Sequence, residues 1–230
     1  MIHRFSGYSD EARRLRRMLA PLDRHAPVLD VGCGYGRNLD LLRGLGFTRV
    51  EGVEKNPDLV RAARDRGHVC HLPEELAAAN PDGYALLVFS HIVEHFGYES
   101  LQGFIESYLE RLRPDGQILI VTPLLHGAFY NDFDHVKPYL PMGFRMVFGA
   151  DVSQVQFQSR HVLELEDLAF FKDQWRLQYY PGLYLPHASR WPLQVNRLLK
   201  LVFVASGGLI GKKIGWMGLY RHRGRRTPAA

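Results

Sequence analysis

The stretch Val28-Leu29-Asp30-Val31-Gly32-Cys33-Gly34-Tyr35-Gly36-Arg37-Asn38-Leu39-Asp40-Leu41-Leu42 decides how the chain is read. A short apolar run carries an acid, a turn with glycine at every second position follows, and apolar residues then recur at helical spacing. This pattern predicts a strand, a tight loop and a helix. Glycines let such a loop take positive φ and let a ligand approach the main chain closely. The helix beyond it offers unpaired N–H groups that suit a carboxylate or a phosphate. A dinucleotide-binding loop is spaced G-x-G-x-x-G. Here the spacing is G-x-G-x-G, with Arg37 where the last glycine of that fingerprint would fall. Asp30, two residues before Gly32, would repel a pyrophosphate and attract a cation. A ligand with an amino group, a sulfonium and a ribose fits better.

Outward from the loop, strands and helices alternate. Strand one is Pro27 to Val31, and its helix runs to Gly44. Arg49 to Val53 is a second strand ending at Glu54, close to the roughly 20-residue offset at which nucleotide folds carry a ribose-binding acid. Pro57 then opens a helix to Arg66, as a first-turn proline should. His68 to Cys70 reads as a third strand, and Tyr84 to Phe89, after the Asp82-Gly83 turn, as a fourth. The fourth runs into Ser90-His91-Ile92-Val93-Glu94-His95-Phe96. A helix over Tyr98 to Leu112 and the turn Arg113-Pro114-Asp115-Gly116 lead to strand five, Gln117 to Thr122. This order implies parallel strands with helices on both faces.

The acid-x-G-x-G-x-G loop, Glu54 after strand two, Glu94-His95 after strand four and the Leu112–Gly116 turn before strand five occur in sequence. Over residues 25–123 the chain therefore resembles the class I S-adenosylmethionine (SAM)-dependent methyltransferases. The resemblance implies an α/β fold: a doubly wound, seven-stranded, mostly parallel, Rossmann-like sheet with a C-terminal lid or helical insertion. It implies one methyltransferase domain, with a cofactor-binding core at 25–123 and an acceptor-side lid at 124–162. A C-terminal half at 163–221 and a basic tail at 222–230 complete it. SAM is the implied cofactor and S-adenosylhomocysteine the product. The cofactor site would be drawn from Asp30, Gly32, Cys33, Gly34, Gly36, Glu54, Lys55, Leu72 and Ser90, with Glu54 taking both ribose hydroxyls. A helix over residues 8–24 would cover the pocket. Family members often carry an acid just after strand three for the adenine amine. This chain has His71-Leu72-Pro73 there, so backbone groups near Leu72 are expected to serve instead.

Composition adds limits. The 230 residues are 46% hydrophobic and 23% charged, which suits an ordinary globular chain. Two cysteines exclude a disulfide framework and are consistent with a reducing cytoplasm. The first 24 residues are too charged for a signal peptide. Leu165 to Asp173 reads as a helix, Trp175 to Tyr180 as strand six, and Gly215 to Arg221 as a final antiparallel strand. Trp191 to Ile210 is strongly apolar but broken by Gly207-Gly208, which argues against a spanning helix. Core packing, a partner surface (a second copy of the chain included) and peripheral membrane contact through residues 191–230 all remain open for it. Arg221 to Ala230 holds four arginines and no acid, so it would meet phosphate or lie solvated.

His91-x-x-Glu94-His95 matches an inverted zincin motif. Its place after strand four, where α/β folds bind ligands, favours a cofactor or acceptor role instead, and no metal is expected. The Asn/Asp-Pro-Pro-aromatic sequence with which similar enzymes hold a planar amine is missing after strand four. Transfer to a hydroxyl needs a base, and histidine suits one near neutral pH. His91, His95 and His135 are the candidates for base or acceptor positioning, with His126 nearby in sequence. Asp132-x-Asp134-His135 would hold a divalent cation or sit as solvated loop. The expected activity is O-methylation of a small-molecule, glycan or lipid-linked acceptor. The alternatives are RNA methylation, suggested by a pI near 9.3, and a catalytically silent SAM-binding subunit.

Overall fold

The computed structural model describes residues 9–80, 82–177, 184–185, 187 and 189–226. Strands β1 (Pro27–Val31), β2 (Arg49–Val53), β3 (Val69–His71), β4 (Tyr84–Ser90) and β5 (Leu112–Pro123) pair in parallel in the order β3-β2-β1-β4-β5. Two more strands extend the sheet beyond β5. β6 (His161–Asp173) lies at the edge, and β7 (Lys212–Arg225) is antiparallel to both β5 and β6 and sits between them. All five residues of β1 are buried, as expected of a strand covered on both faces.

Helices α1 (Asp10–Leu19), α2 (Arg37–Gly44), α3 (Pro57–Asp65), α4 (Leu76–Ala79), α5 (Tyr98–Leu109), α6 (Pro141–Phe148) and α7 (Trp191–Ala205) complete the fold. Ser9 caps α1 by accepting a hydrogen bond from Ala12 N–H, and Asn56 caps α3 by accepting one from Asp58 N–H, with Pro57 in the first turn. Alternate sheet residues face two cores. One packs Leu15, Leu39, Val60, Val88 and Met217 together, and the other packs Leu87, Ile105, Ile118, Phe144 and Trp216. Asp10, 1% exposed, accepts the Lys172 N–H at 2.9 Å and so ties α1 to β6.

Residues 165–173 are strand, not helix. β6 carries register shifts after His161 and Leu165, and these break the two-residue alternation. The apolar residues at 165, 168 and 169 then mimic helical spacing. Trp175–Leu177 form no strand, and the rest of the expected strand six lies outside the described residues. The expected first helix is shorter than 8–24, and α5 stops at Leu109 because β5 begins at Leu112, paired with Tyr84; the expected turn at residues 113–116 lies inside that strand, as an irregularity before Gln117 pairs with Leu86.

The arginine-rich end is no tail as far as Arg226. Arg221 pairs with Glu166, Arg223 with Glu164 at 2.6 Å, and Arg225 with Glu110 at 2.6 Å, while Arg226 donates to the carbonyls of Gly149 and Ala150. Residues 227–230 lie outside the described residues. α7 does not join the core as a whole: only Pro192 and Phe203 are buried, while Trp191, Leu198 and Leu201 are exposed. No described helix is long and apolar enough to cross a membrane.

Candidate active site

The loop after β1 hangs from the tip of β2. The N–H groups of Gly32 and Cys33 donate to the Val53 carbonyl at 2.8 and 3.1 Å, and the Gly34 N–H donates to Glu54 Oε2 at 3.2 Å. Glu54 Oε1 accepts the Asn56 N–H at 2.9 Å, so the carboxylate is held at the mouth of the loop. Gly32 is required by its φ of +74°, while a Cβ there would stand 2.3 Å from the movable tip of Ile92, Cδ1. Gly34, by contrast, would have no atom within 4 Å of its Cβ, so the loop faces open space there. Beneath it the Cys33 and Cys70 sulfurs lie 3.3 Å apart, both buried thiols.

Asp30 is 1% exposed, and neither carboxylate oxygen has a hydrogen-bond partner among the described residues. Burial pushes its pKa up to about 7, against the lowering influence of Asn38 and Arg37. An unpartnered acid below an open glycine loop, with a second acid at the loop's mouth, fits a ligand carrying an amino group and a ribose. Ser90 ends β4, with β1 and β5 on either side of that strand, and is buried. Lys55 is exposed just beyond Glu54. The Leu72 backbone, by contrast, is already engaged. Its N–H donates to Glu75 Oε2 at 2.8 Å and its carbonyl accepts from Glu75 and Leu76, so an adenine contact there would displace Glu75.

The expected catalytic histidines separate into two environments. His91 adopts a left-handed φ of 53°, its N–H bonded to the Val121 carbonyl at 2.8 Å. Its ring lies between Glu11 of α1, 3.3 Å from Nε2, and Glu94, 3.3 Å from Nδ1. Burial disfavours the proton, but the two carboxylates outweigh it and raise the His91 pKa to about 10. An imidazole that keeps its proton at neutral pH is a fixed cation, not a general base.

His95 and His135 stand together with their rings 4.9 Å apart. His95 Nδ1 meets the Asp134 carbonyl at 3.2 Å, and His135 Nδ1 meets the Phe129 carbonyl at 2.7 Å. Each carbonyl selects the tautomer with the proton on Nδ1 and leaves the lone pair on Nε2. Glu94, in a 3₁₀ turn Val93–His95, is fully buried and accepts the Thr122 hydroxyl at 3.0 Å. Its carbonyl also accepts the N–H groups of Val136 and Lys137, which fastens the segment after β5 over the ends of β4 and β5. His126 is elsewhere engaged, accepting the Ala128 N–H at 3.2 Å. Glu11 and Thr122 carried no signal in the sequence, since both act on residues far along the chain.

A cavity of about 410 Å³ lies on the same side of the sheet as α5 and α6, lined largely by apolar groups including Tyr98, Leu101, Met142, Phe144, Phe148 and Phe157. It includes no residue of the glycine loop or of the β2 tip. Its Lys137 wall is the segment bonded to the Glu94 carbonyl.

Residues 3–181 match the family model described as a methyltransferase domain. Among curated proteins, the chain is 27% identical over 114 residues to the ribosomal protein L11 methyltransferase of Xanthomonas axonopodis, covering 50% of this chain and 36% of that protein. It is 31% identical over 121 residues to the trans-aconitate 2-methyltransferase of an Azoarcus species, covering 50% and 47%. The chain thus spans between a third and a half of the length of these relatives. Among solved structures, a SAM-dependent methyltransferase from Archaeoglobus fulgidus superposes with a TM-score of 0.58 at 19% identity, with 92% of each chain covered. The YcgJ protein of Bacillus subtilis gives 0.54 at 15% identity, covering 94% and 99%. The sheet order, the glycine loop with its two acids and a family match over most of the chain agree: the protein belongs to the Rossmann-like, SAM-dependent methyltransferase family.

Proposed function

We propose that this chain transfers the methyl group of SAM to a hydroxyl of a small-molecule, glycan or lipid-linked acceptor. The observation that carries the reading is the His95–His135 pair, each ring anchored through Nδ1 by a backbone carbonyl and set beside the carboxyl ends of β4 and β5. SAM supplies a methyl on a sulfonium, which leaves as a neutral thioether. The protein's part is alignment and proton handling. Asp30 receives the ligand's amino group, Glu54 its ribose hydroxyls, and the glycine loop its close approach. As the acceptor oxygen bonds to the methyl carbon and the carbon–sulfur bond breaks, the hydroxyl proton is lost on the side of His95 and His135. His91, pinned between Glu11 and Glu94, positions rather than abstracts.

The apolar cavity beside Lys137 supports an acceptor with a hydrophobic portion, and the exposed apolar side of α7 supports contact with a lipid surface. RNA as acceptor has less support, because Arg221, Arg223 and Arg225 are already paired with acids. The curated relatives name a ribosomal protein and trans-aconitate, which do not select between acceptors. The deciding experiment supplies labelled SAM with separated sugar, lipid and RNA fractions. Label in the sugar or lipid fraction, at a base-stable and ether-linked position, supports the proposal. Label confined to RNA or protein overturns the acceptor. S-adenosylhomocysteine binding with no transfer to any fraction points to a silent subunit.

A further inference from the structure

Glu94, His95 and His135 each present one ligand atom to a common point, and these atoms all lie within 4.8 Å of one another. They come from two separate segments, the turn after β4 and the segment after β5, so chain proximity does not explain the convergence of His135. Glu94 supplies the second observation. It is 0% exposed, one oxygen is satisfied by Thr122, and the other, Oε1, meets no donor in good hydrogen-bond geometry among the described residues, with His91 Nδ1 standing 3.3 Å away. His135 Nε2 lies 4.0 Å from that oxygen, too far for a hydrogen bond. Both histidines are held as metal-ligating imidazoles usually are, with Nδ1 anchored by a backbone carbonyl. Asp132 Oδ2, 3.7 Å from His135 Nε2 and exposed, stands where a further oxygen donor could enter.

We propose that Glu94, His95 and His135 bind a divalent transition-metal cation of the zinc class, leaving an open position toward the acceptor. One carboxylate and two imidazoles suit zinc, cobalt or iron(II) better than magnesium or calcium. A tetrahedral centre with bonds near 2.1 Å sets its ligand atoms about 3.4 Å apart, so the donors need to close by about 1.4 Å at most. Rotation of the two half-buried rings supplies that movement, while Glu94 stays fixed by Thr122. His91 also faces Glu94 Oε1, at 3.3 Å, and shares that oxygen with the cation. What the cation does rests on the hydroxyl reading above: with both imidazoles bound to it they no longer take the hydroxyl proton, and the cation would instead lower the pKa of a hydroxyl at its open position, whose proton would pass to water. Whether it binds does not depend on that reading.

The test is a titration of the chelator-treated full chain with cobalt(II), followed by visible absorption and by calorimetry, with zinc as competitor. One equivalent of cobalt is expected to give tetrahedral-type visible bands that zinc abolishes. His95→Ala and His135→Ala should each weaken binding at least about tenfold. Thermal melts and S-adenosylhomocysteine calorimetry verify that these variants are folded. His25→Ala, a surface histidine elsewhere, should bind as the parent does. Should Glu94→Gln fail to fold, the two histidine variants still decide. No saturable cobalt or zinc binding, or binding unchanged in both histidine variants, overturns the site. Cation binding that survives while no hydroxyl is methylated leaves the site standing and removes the acceptor assignment alone.

Discussion

Asp30 shows how a single residue can be kept in a costly state. Its folded pKa of about 7 exceeds the value near 3.9 expected in an unfolded chain, so between those values the folded protein keeps a proton that the unfolded one gives up. The stability linked to this group is full below about pH 4 and is lost as pH rises toward 7, by an amount on the order of 4 kcal/mol. Asp30→Asn should flatten the melting temperature of the ligand-free chain over that window, and an unchanged pH slope would remove Asp30 as its source. Because a bound ammonium would offset the buried charge, the thermal shift given by S-adenosylhomocysteine should be larger at pH 8 than at pH 5. At the loop's mouth, Glu54→Ala removes a charged hydrogen-bond acceptor. S-adenosylhomocysteine affinity measured by calorimetry is expected to fall by about ten- to a hundredfold. Gly32→Ala meets a left-handed backbone with the tip of Ile92 beside it, and should weaken S-adenosylhomocysteine binding about tenfold in the same calorimetry.

At the scale of elements, α7 divides into a half that holds the fold and a half that does not. Phe203 is 4% exposed and its ring lies against Gly211, so Phe203→Ala should cost about 3–5 kcal/mol in denaturant unfolding. Leu198→Glu with Leu201→Glu should change stability by less than about 1 kcal/mol while abolishing co-sedimentation with lipid vesicles. Retained co-sedimentation would remove α7 as the contact. The elements that could be read from sequence were those whose signal is local: β1 through β5, the Asn56-Pro57 start of α3 and the glycine loop. The β6 sequence imitates a helix because its bulges lie in backbone pairing that only β7 reveals. The arginines of β7 looked like a free tail because Glu164, Glu166 and Glu110 meet them from 55 to 115 residues away. The histidines were legible as residues but not as roles. His91 takes its charge from Glu11, 80 positions earlier, as well as from Glu94, whose complete burial shows only in the fold.

For the whole molecule, pairing cancels Arg221, Arg223 and Arg225 against acids, so the formal excess of +5 resides on other side chains and this end of β7 offers no uncancelled arginine cluster. RNA binding, if measured across salt concentrations, should therefore show a shallow slope, near one or two phosphates; a slope of six or more would point to an extended RNA surface. The sheet itself has a further property that follows from where β7 lies. The last described strand in the chain fills an interior place, and β6 reaches the sheet only through it. A nascent chain can assemble the cofactor half early, but β5 keeps an open edge and β6 waits unpaired until residues 212–225 emerge. During that interval the exposed edge is a template for other chains, so recovery of the native protein is sensitive to the delay before β7 emerges.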